Sequence, residues 1–221
     1  MQTIQKGKVT KYFYDRGFGF ITNENQEEII FRTQSCTNEN INLGSPVTFI
    51  MGLSRDHIGK SEAFNITRAY LSKDGQFVVN RPSDHIHQGV VSKLEDIVKL
   101  ISCEERSFFV QQIDFPEYIG QSTCVKVNDD DNIVYAKRNG RMGYTKFVRD
   151  RQPEDTNSIS IILKKTQDFY TIITAFYGKN AEVEPWDERA NNNSINFWKN
   201  HALLFDSEPI DMSSLTTKCP W

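Results

Sequence analysis

The chain has 221 residues, of which 38% are hydrophobic and 25% are charged, and its formal net charge at pH 7 is −3. This composition is typical of a soluble protein with one large or two small domains. The negative net charge excludes a protein that binds nucleic acid or another polyanion through its overall charge. No run of 18 apolar residues is present, which excludes a membrane-spanning helix, and the N-terminus lacks the apolar segment of a secretory signal. The four cysteines form no CxxC pair, which excludes a cysteine zinc site. We therefore expect a cytoplasmic protein with reduced thiols and no cofactor.

Turn signals divide the first 70 residues into five short strands. The strand segments are "GKVTKYFY", "FGFITNE", "EEIIFRT", "SPVTFIMGLS" and "EAFNITRAY". Five short strands within this length suggest a small closed barrel such as the OB-fold, because closure removes the exposed edges of the sheet.

The pattern changes after the barrel. Residues 71–84 are polar and are interpreted as a linker, in which Phe77-Val78-Val79 can add a short strand to either side. An amphipathic helix is then predicted from apolar residues at spacings of three and four: Val90, Leu94, Ile97, Val98 and Ile101. Strands follow, and a final helix is expected to begin with Ser194 as its N-cap. We therefore expect an α+β domain over 85–206 and a loosely held tail over 207–221.

The segment "GKVTKYFYDRGFGFIT" resembles the opening of a cold-shock domain, and the resemblance continues through "EEIIFRTQS" to "AFNITRA". It covers about the first 70 residues and implies a barrel that binds single-stranded RNA. In such a barrel the rings of Phe18 and Phe20 stack on bases. The resemblance also implies that Lys8, Lys11 and Arg16 lie near the phosphates. Arg32 stands where the family has another residue, and its guanidinium can stack on a base or contact phosphate.

Several positions depart from the cold-shock pattern. The tryptophan of the first strand is replaced at Lys11 or Tyr12, and Ile30 and Thr33 stand where further rings are usual. Residues 1–70 carry eight Lys or Arg against seven Asp or Glu, so this segment is nearly neutral. A barrel that serves only as a scaffold for protein contacts is therefore an alternative to nucleic-acid binding.

The densest basic run is "AKRNGRMGYTKFVRDR", residues 136–151. Arginine suits phosphate because its forked donors bind two oxygens at once. Tyr144 and Lys146, which lie within the run, are candidate RNA contacts. A solvated basic loop and a docking patch for an acidic protein are the alternatives.

Two histidines, His85 and His87, stand in "DHIH" before the predicted helix. In an extended segment they would share one face, where two imidazoles can serve as the acid and the base of RNA cleavage without a metal. The base would take the proton of the ribose 2′-OH, whose attack makes a 2′,3′-cyclic phosphate, and the acid would protonate the 5′-oxygen. The same histidines are equally compatible with plain surface positions.

A second resemblance covers roughly residues 85–205. The segments "RNGRMGYTKFVRDRQPEDTNSISIILKK", "YTIITAFYGKNAEVEPWD" and "FWKNHAL" resemble the nuclease domains of bacterial toxins, the group of barnase, EndoU, the tRNA-cleaving colicins and RelE. The resemblance implies a helical part packed on a curved antiparallel sheet, with metal-independent RNA cleavage on the open face of the sheet. The catalytic candidates that it implies are His85, His87, Arg138, Arg141, Arg149 and Thr174.

The sequence therefore predicts two domains, an all-β OB-fold barrel followed by an α+β domain with a helix packed on a curved antiparallel sheet. The function that it predicts is a cytoplasmic, metal-independent endoribonuclease toxin that acts on RNA. An antitoxin or immunity protein is the partner that a toxin implies. The alternative is a nonenzymatic regulator that binds single-stranded RNA and has an inactive C-terminal platform.

Overall fold

The computed structural model describes residues 3–37, 40–54, 59–80 and 86–221. Its strands and α-helices, in chain order, are β1 (Ile4–Phe13), β2 (Phe18–Asn23), β3 (Glu28–Arg32), β4 (Pro46–Leu53), β5 (Ser61–Leu71), β6 (Phe77–Asn80), α1 (Gln88–Val91), α2 (Leu94–Val98), β7 (Phe108–Asp114), β8 (Gly120–Ser122), β9 (Cys124–Lys126), β10 (Asn132–Arg138), β11 (Tyr144–Arg149), β12 (Glu154–Thr156), β13 (Ser158–Thr166), β14 (Phe169–Tyr177), α3 (Asn192–Asn200), β15 (His201–Leu204) and β16 (Ile210–Thr216). Within these described ranges, no helix has the length and apolar character needed to cross a membrane.

The chain forms two compact units. The first comprises Met1–Gln111 and Ile161–Ala175, and the second comprises Gln112–Ser160 and Phe176–Trp221. These units differ from the predicted ranges 1–70 and 85–206, because the segment after the barrel and most of β13 and β14 belong to the first unit.

Five strands of the first unit close into a barrel. Their order is β3-β2-β1-β4-β5, and the parallel pairing of β3 with β5 joins the two ends. A five-stranded barrel closed in this way, with its first strand between the second and the fourth, has the OB-fold arrangement. The predicted OB-type barrel is therefore confirmed.

The barrel core is filled by side chains from alternate positions of its strands, and Phe31 and Phe49 are its largest fully buried rings. Gly19 faces this core on β2. A Cβ atom at Gly19 would lie 2.5 Å from the Phe31 ring, so a larger residue would displace it. Glycine within this strand is thus explained by the close approach of a core ring.

The segment predicted as a linker contains β6. This strand pairs antiparallel with β5, where Ala69 lies opposite Val79, and parallel with β14, where Tyr170 lies opposite Val78. The described part of residues 71–84 therefore continues the sheet that begins in the barrel.

The amphipathic helix predicted after residue 85 forms as two short helices, α1 and α2, which are separated at Ser92 and Lys93. The five apolar residues that predicted it are all buried: Val90, Leu94, Ile97, Val98 and Ile101. α2 lies beside β5, where Arg68 Nη2 donates to Glu95 Oε2 at 2.8 Å. Both helices consequently belong to the first unit.

The second unit is built on a five-stranded sheet of order β16-β10-β11-β15-β9. β11 and β15 are parallel, whereas the other neighbours are antiparallel. The prediction of an α+β domain with a helix packed on a curved antiparallel sheet is wrong. The described chain is mostly β, the sheet of the second unit is mixed, and the helix assigned to that domain is α1 and α2 of the first unit.

The sequence pattern also misplaced the residues around the C-terminal helix. Asn191, rather than Ser194, is the N-cap of α3, because its side chain accepts from the backbone N–H of Ser194 in a capping box. The helix ends at Asn200, and the apolar residues after it form β15, which lies between β11 and β9. The predicted tail, 207–221, contributes β16, which pairs with β10.

Burial raises the pKa of three thiols, to about 11 for Cys36 and Cys103 and to about 12 for Cys124. Cys219 is exposed. Because the thiolate is the form that reacts, we expect iodoacetamide at pH 8 to modify Cys219 at least about 100-fold faster than the other three. Mass spectrometry of the native chain measures this, with the chain in denaturant as the control in which all four thiols react. Equally rapid modification of Cys36 in the native chain would contradict the expectation.

Candidate nucleic-acid interface

A β-bulge near the middle of β1 decides which side chains reach the outer surface of the barrel. Between Val9 and Lys11 the register of β1 against β2 slips by one residue, so Thr10 is extra. Without the bulge, Lys11 and Phe13 would share the inward face of Val9. With it, both side chains point outward.

Three phenylalanine rings meet on this outer surface, and we call Phe13, Phe18 and Phe20 the aromatic face. Phe13 lies directly opposite Phe18 across β1 and β2, with ring centroids 5.0 Å apart. The rings of Phe18 and Phe20 are 6.0 Å apart and nearly perpendicular. Phe13 is 42% exposed. Exposed rings on a barrel strand offer flat surfaces on which bases can stack.

Sequence reasoning identified Phe18 and Phe20 but missed Phe13. Tyr12, Phe13 and Tyr14 are consecutive, and alternate side chains of a strand point to opposite faces, so one of them had to point outward. Tyr12 instead packs against Phe31 at the core, with ring centroids 5.2 Å apart.

Lys11, a predicted phosphate contact, is held beside the aromatic face. Its Nζ lies 5.4 Å from the centroid of the Phe20 ring and 2.6 Å from Glu28 Oε1. The ammonium therefore makes a cation–π contact and an ion pair at the same time.

Arg32, a second predicted phosphate contact, lies opposite Phe18 across β2 and β3. Its Nε is 3.3 Å from Glu62 Oε1, and Glu62 is buried and also accepts a hydrogen bond from Ser54 Oγ at 2.7 Å. Arg32 thus compensates a buried carboxylate of the barrel.

Two further predicted contacts, Lys8 and Arg16, are exposed. Neither makes an ion pair with another residue among those the structure describes. The four predicted cations of the barrel therefore divide into two that are ion-paired and two that remain available to phosphate.

The arginines of the basic run lie on the second unit. Arg138 forms an ion pair with Glu184, and this buried carboxylate also accepts from Thr145 Oγ1 at 3.0 Å. The guanidinium of Arg149 lies 4.4 Å from the centroid of the Phe205 ring. Arg141 is exposed in the turn between β10 and β11.

Lys146, predicted to contact RNA, is buried in β11. Its Nζ donates to the carbonyl oxygens of Trp198 at 3.1 Å and Lys199 at 2.8 Å, in the last turn of α3. Burial lowers the pKa of Lys146. The ammonium of Lys146 is thus committed to capping a helix.

Tyr144, the neighbouring candidate, is partly buried and lies under Lys137 Nζ, which is 5.6 Å from the ring centroid.

The remaining catalytic candidates lie on the first unit. His87 is the N-cap of α1, where its Nδ1 accepts from the backbone N–H of Gly89 at 3.2 Å. Thr174 lies in β14. His85 lies outside the described residues, so the assembly of histidines, arginines and Thr174 into one site stays a prediction. Within the described part of the chain, no group of three or more His, Cys, Asp or Glu side chains is placed to hold a metal ion.

Comparison with known proteins assigns no family. No family model matches the chain, and no curated protein matches it either. A solved structure described as "drosophila Unr CSD456" shares 9% sequence identity; the match covers 80% of this chain and 63% of that chain, with a TM-score of 0.27. This chain therefore spans less than two thirds of that structure. A TM-score of this size carries no argument, so the barrel assignment rests on the strand order and register given above.

Proposed function

We propose that this chain binds single-stranded nucleic acid on the aromatic face of its barrel. The observation that carries the proposal is the outward cluster of Phe13, Phe18 and Phe20, whose neighbouring rings are 5.0 and 6.0 Å apart. Each base stacked on an aromatic side chain contributes about 1–3 kcal/mol, and stacking accepts every base. OB-folds bind oligonucleotides on the face of their second and third strands, and Phe18 and Phe20 lie on β2.

The charges around the aromatic face favour stacking over phosphate binding as the main source of affinity. Lys8 and Arg16 are exposed, whereas Lys11 and Arg32 are ion-paired with Glu28 and Glu62. Each phosphate contact to a single strand contributes a slope of about −0.7 to the dependence of log K on log salt. We therefore expect binding with little sequence preference and a shallow salt dependence.

Fluorescence anisotropy tests the proposal with the full chain and 5′-labelled 12-nucleotide oligouridine and oligothymidine strands. A hairpin duplex of the same label and net charge is the control, because its bases are already stacked on one another. We expect both single strands to bind more tightly than the duplex. The proposal fails if neither single strand binds at about 100 µM protein in low salt, because about 100 µM is the weakest dissociation constant usual for nonspecific binding even at physiological salt. A barrel surface that docks a protein partner would give that result.

RNA cleavage stays a separate prediction, and the antitoxin or immunity partner depends on it. Total RNA incubated with the full chain and EDTA should yield fragments with 2′,3′-cyclic phosphate ends if His87 and Arg141 act without a metal. The His87→Ala and Arg141→Ala variants should lose these ends. Intact RNA, or cleavage only with added metal, would contradict the prediction and leave the binding proposal unaffected.

A further inference from the structure

Lys11 covers one face of the Phe20 ring, which is one of the rings proposed to stack on bases. It lies opposite Phe20 across β1 and β2, and its ammonium is 5.4 Å from the ring centroid. Glu28 reaches the same ammonium from β3, at 2.6 Å from Nζ to Oε1. The lysine is therefore held over Phe20 by the Phe20 ring on β2 and by the Glu28 carboxylate on β3.

This contact competes with base stacking, because a flat base and an ammonium cannot occupy the same ring face. Displacing the lysine costs both its cation–π contact and its ion pair with Glu28. The Lys11 and Glu28 side chains are 52% and 45% exposed, so water can solvate both groups once they separate.

The ion pair of Arg32 and Glu62, which also lies beside the aromatic face, cannot separate at the same low cost. Glu62 is buried and bonded to Ser54, so separation from Arg32 would leave a charged carboxylate inside the barrel wall. Of these two pairs, only that of Lys11 and Glu28 can open at low cost.

We propose that Glu28 limits the affinity of the aromatic face for single strands by holding Lys11 over Phe20. While the ion pair with Glu28 holds, the Lys11 ammonium is withheld from the phosphates of the bound strand, and only its release from Glu28 lets it contact one. This inference rests on the proposed function and names the residue that sets its strength. Glu28 is then a positioning residue, which acts on the ligand through Lys11.

Glu28→Gln tests the inference against Glu27→Gln, which removes the same charge one residue earlier. Glu27 Oε2 accepts from Asn23 Nδ2 at 2.8 Å and has no ion pair to Lys11. Both sites are at the surface, so unchanged melting temperatures are expected. We expect Glu28→Gln to bind oligouridine about 3-fold more tightly than the control, because the lysine then leaves the ring without breaking an exposed ion pair. The slope of log K against log salt should steepen by about 0.7, because Lys11 then neutralises one phosphate.

A third variant isolates the lysine. In the Lys11→Met background, Glu28→Gln should tighten binding no more than Glu27→Gln does. Equal affinities and equal salt slopes for Glu28→Gln and Glu27→Gln would overturn the inference while leaving single-strand binding in place. Absence of binding in the unsubstituted chain and in every variant would overturn the proposed function, and this inference with it.

Discussion

Replacing Phe13 and Phe18 with alanine in the full chain is expected to weaken single-strand binding at least about 30-fold. The two rings lie opposite each other on β1 and β2 with centroids 5.0 Å apart. Loss of two stacked bases removes about 2 kcal/mol or more, and every 1.4 kcal/mol changes Kd tenfold. Anisotropy titrations with labelled oligouridine measure the change.

Phe108→Ala is the matched control for this pair. Phe108 is also an exposed ring on a strand, 56% exposed, with a lysine ammonium, Lys164 Nζ, 5.3 Å from its centroid. Its removal should leave Kd unchanged, since it lies on β7 and not on the aromatic face. Thermal unfolding should show that the double variant keeps its fold, because Phe13 and Phe18 both point away from the barrel core. An unchanged Kd in a folded Phe13→Ala, Phe18→Ala chain would contradict the stacking role.

Glu184→Ala is expected to lower the free energy of unfolding by about 3–5 kcal/mol. The Glu184 side chain is 11% exposed, and its carboxylate pairs with Arg138 and accepts from Thr145 Oγ1 at 3.0 Å. Its removal leaves a partly buried guanidinium without its counter-charge, and such an uncompensated charge is strongly destabilising. Chemical denaturation followed by circular dichroism measures the loss.

Glu188→Ala is the control, because it removes a charge from an exposed position four residues later in the same loop. It should change the free energy of unfolding by less than about 0.5 kcal/mol. Adding Arg138→Ala to the Glu184→Ala chain should cost little more, since the charge left unpaired is then gone. If Glu184→Ala and Glu188→Ala prove equally stable, Arg138 is not held by this pair.

The ion pair of Arg138 and Glu184 also bears on the prediction of RNA cleavage. Arg138 was predicted as a phosphate-binding catalytic residue, and in the structure its guanidinium already has a carboxylate partner. An arginine held in this way must release Glu184 before it binds phosphate. Arg141, which is exposed in the neighbouring turn, has no such requirement, and for this reason it is the better residue for testing cleavage.

Much of the first unit follows from local patterns in the sequence. Turn residues and alternating apolar positions predicted the five barrel strands, and the helical spacing from Val90 to Ile101 predicted which side chains are buried there. The alternation of Phe18 and Phe20 around a glycine placed both rings on one face of β2, and the cold-shock resemblance implied that this face is the outer one. These features depend on residues within a few positions of one another, so a single sequence specifies them.

Features that depend on distant pairing were decided only by the tertiary structure. Lys146 lies in a basic run, yet it is buried, with its ammonium bonded to the carbonyl oxygens of Trp198 and Lys199 in the last turn of α3. The segment "HALL" has a pattern compatible with helix, but its pairing with β11 and β9 makes it a strand. The helical segment after residue 85 was predicted to belong to the C-terminal domain, but α2 lies against β5.

In the aromatic face, some features follow from the local sequence and others depend on the tertiary structure. The sequence by itself determined that Phe18 and Phe20 share one face, because alternation along β2 is unbroken. Only the tertiary structure added Phe13 and placed Lys11 over Phe20, because the bulge at Thr10 reverses the faces of the residues after it. A bulge is a mismatch between two paired strands, so its position is fixed by the partner strand and not by the alternation of the strand that carries it.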